Sequence, residues 1–162
     1  MTDKDTFCDQ IRLQKRAMYY LAFSIVKNEA DATEVISEAI FRAYKNLDTL
    51  KNIQAFKPWI LRIVHNTAAE FIRKNSKTIS FDEVEPISES NENKFTASLS
   101  VKEAVKSLKQ PYRTVIVLHY YEDLSILQIA KITNATTVTV KQRLSRARKQ
   151  LREILKEDFI NE

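Results

Sequence analysis

Between Lys141 and Arg152 the chain carries six lysines and arginines and no acid. Long cationic donors crowded into one short stretch suit two tasks, pairing with phosphate oxygens and reaching the edges of bases in a groove. If the stretch is helical, Val140, Leu144, Ala147 and Leu151 recur at i, i+4, i+7 and i+11 and form one buried stripe. The opposite arc then carries Gln142, Ser145, Arg146 and Lys149, with Lys141, Arg148 and Arg152 at its flanks and Thr139 in its first turn. Glutamine and arginine on such an arc are the side chains that pair bidentately with adenine and guanine edges, whereas the flanking cations meet the strands. A charged arc on an isolated helix is ordinarily solvated surface. The element just before it favours DNA.

That element begins at Ser125, which with Gln128 three residues later makes a capping box for a helix carrying Ile126, Leu127, Ile129, Ala130 and Ile132. Asn134 enters the left-handed region cheaply and ends it. Thr136 or Thr137 caps the basic helix that comes next. A small residue, Ala130, a turn at Asn134 and an anchor at Val140 allow two helices to cross steeply, as in a helix-turn-helix whose second helix lies in the major groove.

Composition narrows the remaining possibilities. The chain has 162 residues, no glycine, three prolines and a net charge of +5. So little turn chemistry leaves few hairpins, and an all-α fold is expected. The charge is uneven: residues 1–75 hold 12 basic and 9 acidic side chains, 76–100 hold 2 and 5, and 101–162 hold 12 and 7. Cys8 is the single cysteine, which excludes an internal disulfide and a cysteine zinc cage. His65 and His119 lack partners at metal spacing, so neither is read as a ligand and no metal is expected. No glycine loop cradles a phosphate and no nucleophile pairs with a base, so the chain reads as a non-enzyme without a cofactor. No apolar run spans a membrane and no leader is evident, which points to a cytoplasmic protein with no membrane insertion.

Upstream, residues 5–27 place Phe7, Ile11, Met18, Leu21, Ala22 and Ile25 on one helical face. Asp31 is expected to cap a second helix to about Asn46, with Val35, Ile36, Ala39, Ile40, Ala43 and Tyr44 inward and Glu34, Ser37, Glu38, Arg42 and Lys45 outward. After a loop, Pro58 fits the first turn of a third helix beginning near Lys57. Its core face holds Trp59, Ile60, Ile63, Val64, Ala68, Phe71 and Ile72, and its other face Arg62, His65, Asn66, Ala69 and Arg73. Trp59 is expected to be a core aromatic, and Tyr120 and Tyr121 core and rim. Ser100 with Glu103 opens a further helix with Val101, Ala104, Val105 and Leu108 inward, and Pro111 opens the next, through about Tyr121.

Two stretches carry a family resemblance. DATEVISEAIFRAYKNL with AFKPWILRIVHNTAAEFIRK resembles domain 2 of the extracytoplasmic-function (group 4) sigma factors of the sigma-70 family, and SLKQPYRTVIVLHYYEDLSILQIAKITNATTVTVKQRLSRARKQLREIL resembles domain 4. The resemblance implies a domain at 1–75, a three-to-four-helix bundle that docks on core RNA polymerase and recognises the minus 10 promoter element. It implies a second at 101–162, a helix-turn-helix that reads the minus 35 element. Matching residues for docking are Asp31, Glu34, Ser37, Glu38 and Arg42, with the polymerase beta-prime clamp helices and beta flap as partners. Leu50, Lys51 and Asn52 match the loop that holds a flipped promoter base, and Arg62, His65, Asn66 and Arg73 complete the minus 10 set. Thr139, Lys141, Gln142, Ser145, Arg146, Arg148 and Lys149 form the minus 35 set. Promoter DNA and an anti-sigma factor are the further implied partners. Asn134 and Val138 stand where the family often has glycine, and Ser37 where it often has glutamine.

Residues 76–100, rich in Ser, Asn and Glu and poor in apolar side chains, read as a flexible linker. Extended, about 25 residues reach roughly 80 Å, more than two turns of B-DNA at about 34–36 Å each. Without the resemblance two other readings stand: a two-domain helix-turn-helix regulator acting without polymerase, or a helical interaction module with incidental basic charge.

Overall fold

A computed structural model describes residues 2–78 and 100–160, and the linker reading for residues 79–99 lies outside the described residues. Among the described residues seven α-helices make up the fold: α1 (Lys4–Val26), α2 (Glu29–Lys45), α3 (Phe56–Thr78), α4 (Val101–Ser107), α5 (Tyr112–Ile116), α6 (Ile126–Thr133) and α7 (Thr137–Ile160). Two short 3-10 turns, Leu47–Thr49 and Ile53–Ala55, lie between α2 and α3, and a π turn, Val117–Tyr121, continues α5. Among the described residues there is no strand.

The first three helices pack on one another around Met18, Leu21, Val35, Phe56, Ile60 and Leu61, all fully buried. Each such side chain withdrawn from water contributes about 1.5–3 kcal/mol. Their ends are set locally. Asp3 caps α1 by accepting from Thr6 N at 2.7 Å, and Lys27 closes it in the left-handed region. Asn28, not Asp31, caps α2: its side chain accepts from Asp31 N at 2.9 Å, so Asp31 sits within the first turn, where a carboxylate complements the helix dipole.

The remaining helices pack around Leu108, Ile116, Leu118, Ile129, Ile132 and Leu144. Ser100 accepts from Glu103 N to cap α4, and Pro111 stands as the N-cap residue of α5. The two groups are not separate beads. α3 lies along α6, the C-terminal end of α1 meets α5, and buried side chains of both groups belong to one apolar cluster. The Ser24 carbonyl, left open near the end of α1, accepts from Gln110 Nε2 at 2.6 Å and from Arg113 Nε. Arg113 is itself buried, and its second donor goes to the Leu108 carbonyl. Lys57 at the start of α3 bridges to Glu122 across the same seam at 3.3 Å.

Four residues expected inward are exposed, Tyr44, Ile72, Val101 and Tyr120, the last at 49%, and Leu127 of α6 is 57% exposed. Tyr121, the rim residue of the pair expected at core and rim, is 44% exposed. Tyr44, Ile72 and Leu127 lie at the margin of an apolar arc, and Val101 is the first residue of α4, at the open end of its apolar face. For the tyrosines the cause is the π turn, whose Glu122 N to Val117 O bond spans five residues and rotates the side chains around it.

Candidate nucleic-acid interface

The helix-turn-helix is built as its local chemistry dictates. Ser125 and Gln128 exchange both bonds of the capping box, at 2.9 and 3.1 Å. Asn134 adopts φ 57 and ψ 38, and its neighbour Ala135 N donates to Ala130 O. Thr136 then caps α7 through Thr139 N at 3.1 Å, while its own hydroxyl donates to Thr139 Oγ1. Val140, Leu144 and Ala147 are buried and Leu151 half-buried, so Lys141, Gln142, Ser145, Arg146, Arg148 and Lys149 stand in solvent and Thr139 is half-exposed. Val138 is 61% exposed: a branched side chain is tolerated there because it meets nothing.

The flanks of α7 differ. On one side Arg148 Nε donates to Tyr120 Oη at 2.6 Å. On the other, half-buried Arg143 lines a cavity of about 300 Å³ together with His65 and Ala69 of α3. Burial, with the Arg143 charge as a smaller contributor, holds the His65 imidazole below its ordinary value of 6.5, and its Nδ1 is buried with no hydrogen-bond partner among the described residues.

The minus 10 candidates are not gathered into one patch. Lys51 and Asn52 are exposed on the loop and Leu50 is half-buried. The Asn52 side chain accepts from Gln54 N at 2.9 Å and so shapes the turn before α3. Beside that loop, Trp59 Nε1 donates to Thr49 Oγ1 at 3.0 Å while its ring packs on Phe56, 5.5 Å between centroids. Trp59 is thus half in the core and half a tether for the loop. Arg62 and Arg73 are exposed along α3. Asn66 is turned towards the helix-turn-helix, where its Oδ1 accepts from Asn134 Nδ2 at 3.0 Å.

On α2, Glu34, Ser37 and Glu38 are exposed on the face opposite the core, and Asp31 and Arg42 are half-buried. Arg42 is committed within the fold: it donates to Glu38 at 3.0 Å and, by its two terminal nitrogens, to Glu70 of α3 at 2.8 and 3.3 Å. The hydrogen bonds from Arg42, then from Lys74, pull the Glu70 carboxyl from 4.5 to about 2. Phe41, 58% exposed with Lys45 over its ring at 5.2 Å, adds an apolar element to that face. Residue spacing alone marks none of Glu70, Phe41, Tyr120 and Arg143 as part of a site. Only Arg143 leaves a signal, since its helical angle puts it beside the buried stripe and away from the other cations.

Comparison with known proteins gives a consistent picture. Residues 11–78 match the family described as Sigma-70 region 2, and residues 98–151 match Sigma-70, region 4. The chain is similar to the RNA polymerase sigma factor SigV of Bacillus subtilis, 38% identical with 90% of this chain and 89% of that protein covered. It is also similar to the ECF RNA polymerase sigma factor SigW of the same organism, 31% identical with 96% and 91% covered. In fold it resembles the sigma factor RpoE solved in complex with the anti-sigma factor NepR from Bartonella quintana, with a TM-score of 0.76, 24% identity, and 95% of this chain and 98% of that one covered. CnrH in complex with the cytosolic domain of CnrY shares the fold with a TM-score of 0.67 at 20% identity, covering 96% of this chain and 91% of that one.

Proposed function

Because the chain belongs to the extracytoplasmic-function group of sigma-70 RNA polymerase sigma factors, we propose a division of labour in which residues 1–75 dock on core polymerase and help open the minus 10 element while residues 101–162 read the minus 35 element. The protein binds core RNA polymerase and promoter DNA and directs promoter-specific initiation. It works by selective binding, without catalytic chemistry of its own, and in the cytoplasm; among the described residues no helix is long and apolar enough to cross a membrane. An anti-sigma factor as its regulator is supported by the structural neighbour RpoE, a sigma factor seen with the anti-sigma factor NepR.

The single observation carrying this reading is the exposed basic arc of α7 opposite its buried stripe, at the end of a turn that Asn134 and Thr136 define. Docking is assigned to the α2 face of Glu34, Ser37 and Glu38. Two elements on one duplex require the helical groups to part, because the structure joins them at Asn66 and Asn134. Opening frees Asn66, whose amide offers both a donor and an acceptor to an unstacked base. Reconstitution tests the whole: core polymerase with this protein should initiate on promoters that core alone ignores. If no genomic fragment is transcribed above the core-only level, the assignment is rejected. Within that assay Asn66→Ala should reduce strand opening, read by permanganate reactivity, more than it reduces polymerase binding.

A further inference from the structure

We propose that Tyr120 is a positioning residue for the DNA backbone contact made by Arg148, an inference that rests on the reading of α7 as the minus 35 helix. Tyr120 lies in the π turn, 28 residues before Arg148. The arginine donates from Nε to Tyr120 Oη at 2.6 Å, and its guanidinium carbon sits 5.9 Å from the ring centroid. A lone exposed arginine samples many rotamers and loses that freedom on binding. Two contacts from one side chain select a single orientation in advance.

Tyr120 is held in turn. The His119 ring meets it edge-on at 4.8 Å and 81°, and His119 Nδ1 donates to the Leu124 carbonyl at 3.1 Å across the turn. Within the π turn the wider loop from Val117 O to Glu122 N turns the side chains progressively away from the register of a continuous helix. That rotation takes Tyr120 out of the core pattern and sets it against the flank of α7.

The bond uses only Nε, so both terminal nitrogens stay free to face outward as the fork that meets two oxygens of a phosphate. Among the described residues Arg148 makes no other hydrogen bond or ion pair, and its flank neighbours Lys141 and Arg152 make none. Of the three cations on this flank, Arg148 is therefore the one whose direction is set before DNA arrives.

The test uses the full chain assembled with core polymerase and a duplex selected by the wild-type holoenzyme from a randomised minus 35 pool, with affinity measured across a salt series. Arg148→Ala should weaken binding on all sequences alike and lower the salt slope by about 0.9. Tyr120→Phe, which keeps the ring and removes the acceptor, should cost about three- to tenfold, and Tyr120→Ala more. The double variant Tyr120→Phe, Arg148→Ala should be no weaker than Arg148→Ala alone, with thermal unfolding unchanged throughout. If Arg148→Ala binds as the wild type does, the clamp reading of this flank falls, and the proposal with it. If Arg148→Ala weakens binding but Tyr120→Phe does not, or if the two losses multiply, the positioning role alone is wrong. Tighter binding by Tyr120→Phe would overturn it in the other direction, showing that the tyrosine holds the arginine away from DNA.

Discussion

Three arginines of α7 face three different surroundings. Arg143 is turned to α3, Arg148 is tied to Tyr120, and Arg146 stands in solvent opposite the buried stripe. Arg146 is therefore the side chain free to reach a base edge. Arg146→Ala is expected to cost about 1–3 kcal/mol on the preferred minus 35 sequence and to flatten discrimination at one base position. Holoenzyme affinity across single-base variants of the element checks this, and a loss equal on every variant would make Arg146 a backbone contact. On α2 the division is between Glu38, the carboxylate proposed for docking, and Arg42, a cation that holds the fold. Glu38→Lys is expected to weaken core polymerase binding by about tenfold, while Arg42 keeps its pair with Glu70 and the melting temperature stays near wild type. Titration with core polymerase decides, and unchanged affinity would move the docking face elsewhere.

At the scale of elements, where α7 begins depends on where α6 stops. Asn134 has φ 57, a conformation that costs most residues roughly 1–2 kcal/mol and costs branched side chains most. Asn134→Val should accordingly lower the unfolding free energy by about 1–2 kcal/mol and weaken minus 35 binding with it. Asn134→Gly, which takes the same backbone without a Cβ, should stay within a few tenths of wild type, apart from losing the exposed bond to Asn66. Chemical denaturation of both variants is the measurement, and equal losses would show that the side-chain bond, not the backbone conformation, matters. A similar logic explains why glycine is dispensable two positions into α7: Val138 points to solvent, so no close approach requires its absence.

Across the whole molecule, the seam between the helical groups is the feature most open to regulation. His65 lies in it, partly buried, with Arg143 of α7 as the charged group facing it, and its imidazole is held below 6.5 mainly by burial. The closed form thus excludes a proton that the open form binds at about 6.5. Closure is fully favoured above that pH and weakens as pH falls through it towards the lower closed-state value. Acidifying from about pH 7.5 to about 5.5 should therefore increase the distance between dyes placed on α3 and α6, and His65→Gln should abolish that dependence. A pH-independent distance in the wild type would remove His65 from the account. The ion pair of Lys57 with Glu122 and the bonds from Gln110 and Arg113 to the Ser24 carbonyl hold the same seam together.

Much of this protein is local chemistry, and local chemistry is written in residue spacing. The capping box at Ser125, the left-handed turn at Asn134, the cap at Thr136 and the buried stripe of α7 all arise from residues within a few positions of one another, and all are legible in the sequence. The candidate arc of Gln142, Ser145, Arg146 and Lys149 is legible for the same reason, since one helical period sets burial and exposure together. Spacing fails where a period is broken, as at Tyr120 in the π turn, at an arc margin such as Ile72, and at a helix start such as Val101. It carries nothing about pairs that only packing brings together: Arg42 with Glu70 at a separation of 28 residues, Asn66 with Asn134 at 68, and Ser24 with Thr114 at 90. The residue types of the candidate binding surfaces were thus determined by sequence. Which of those side chains stand free, and which the protein spends on holding itself closed, was decided by tertiary structure, because that choice depends on which helix lies against which.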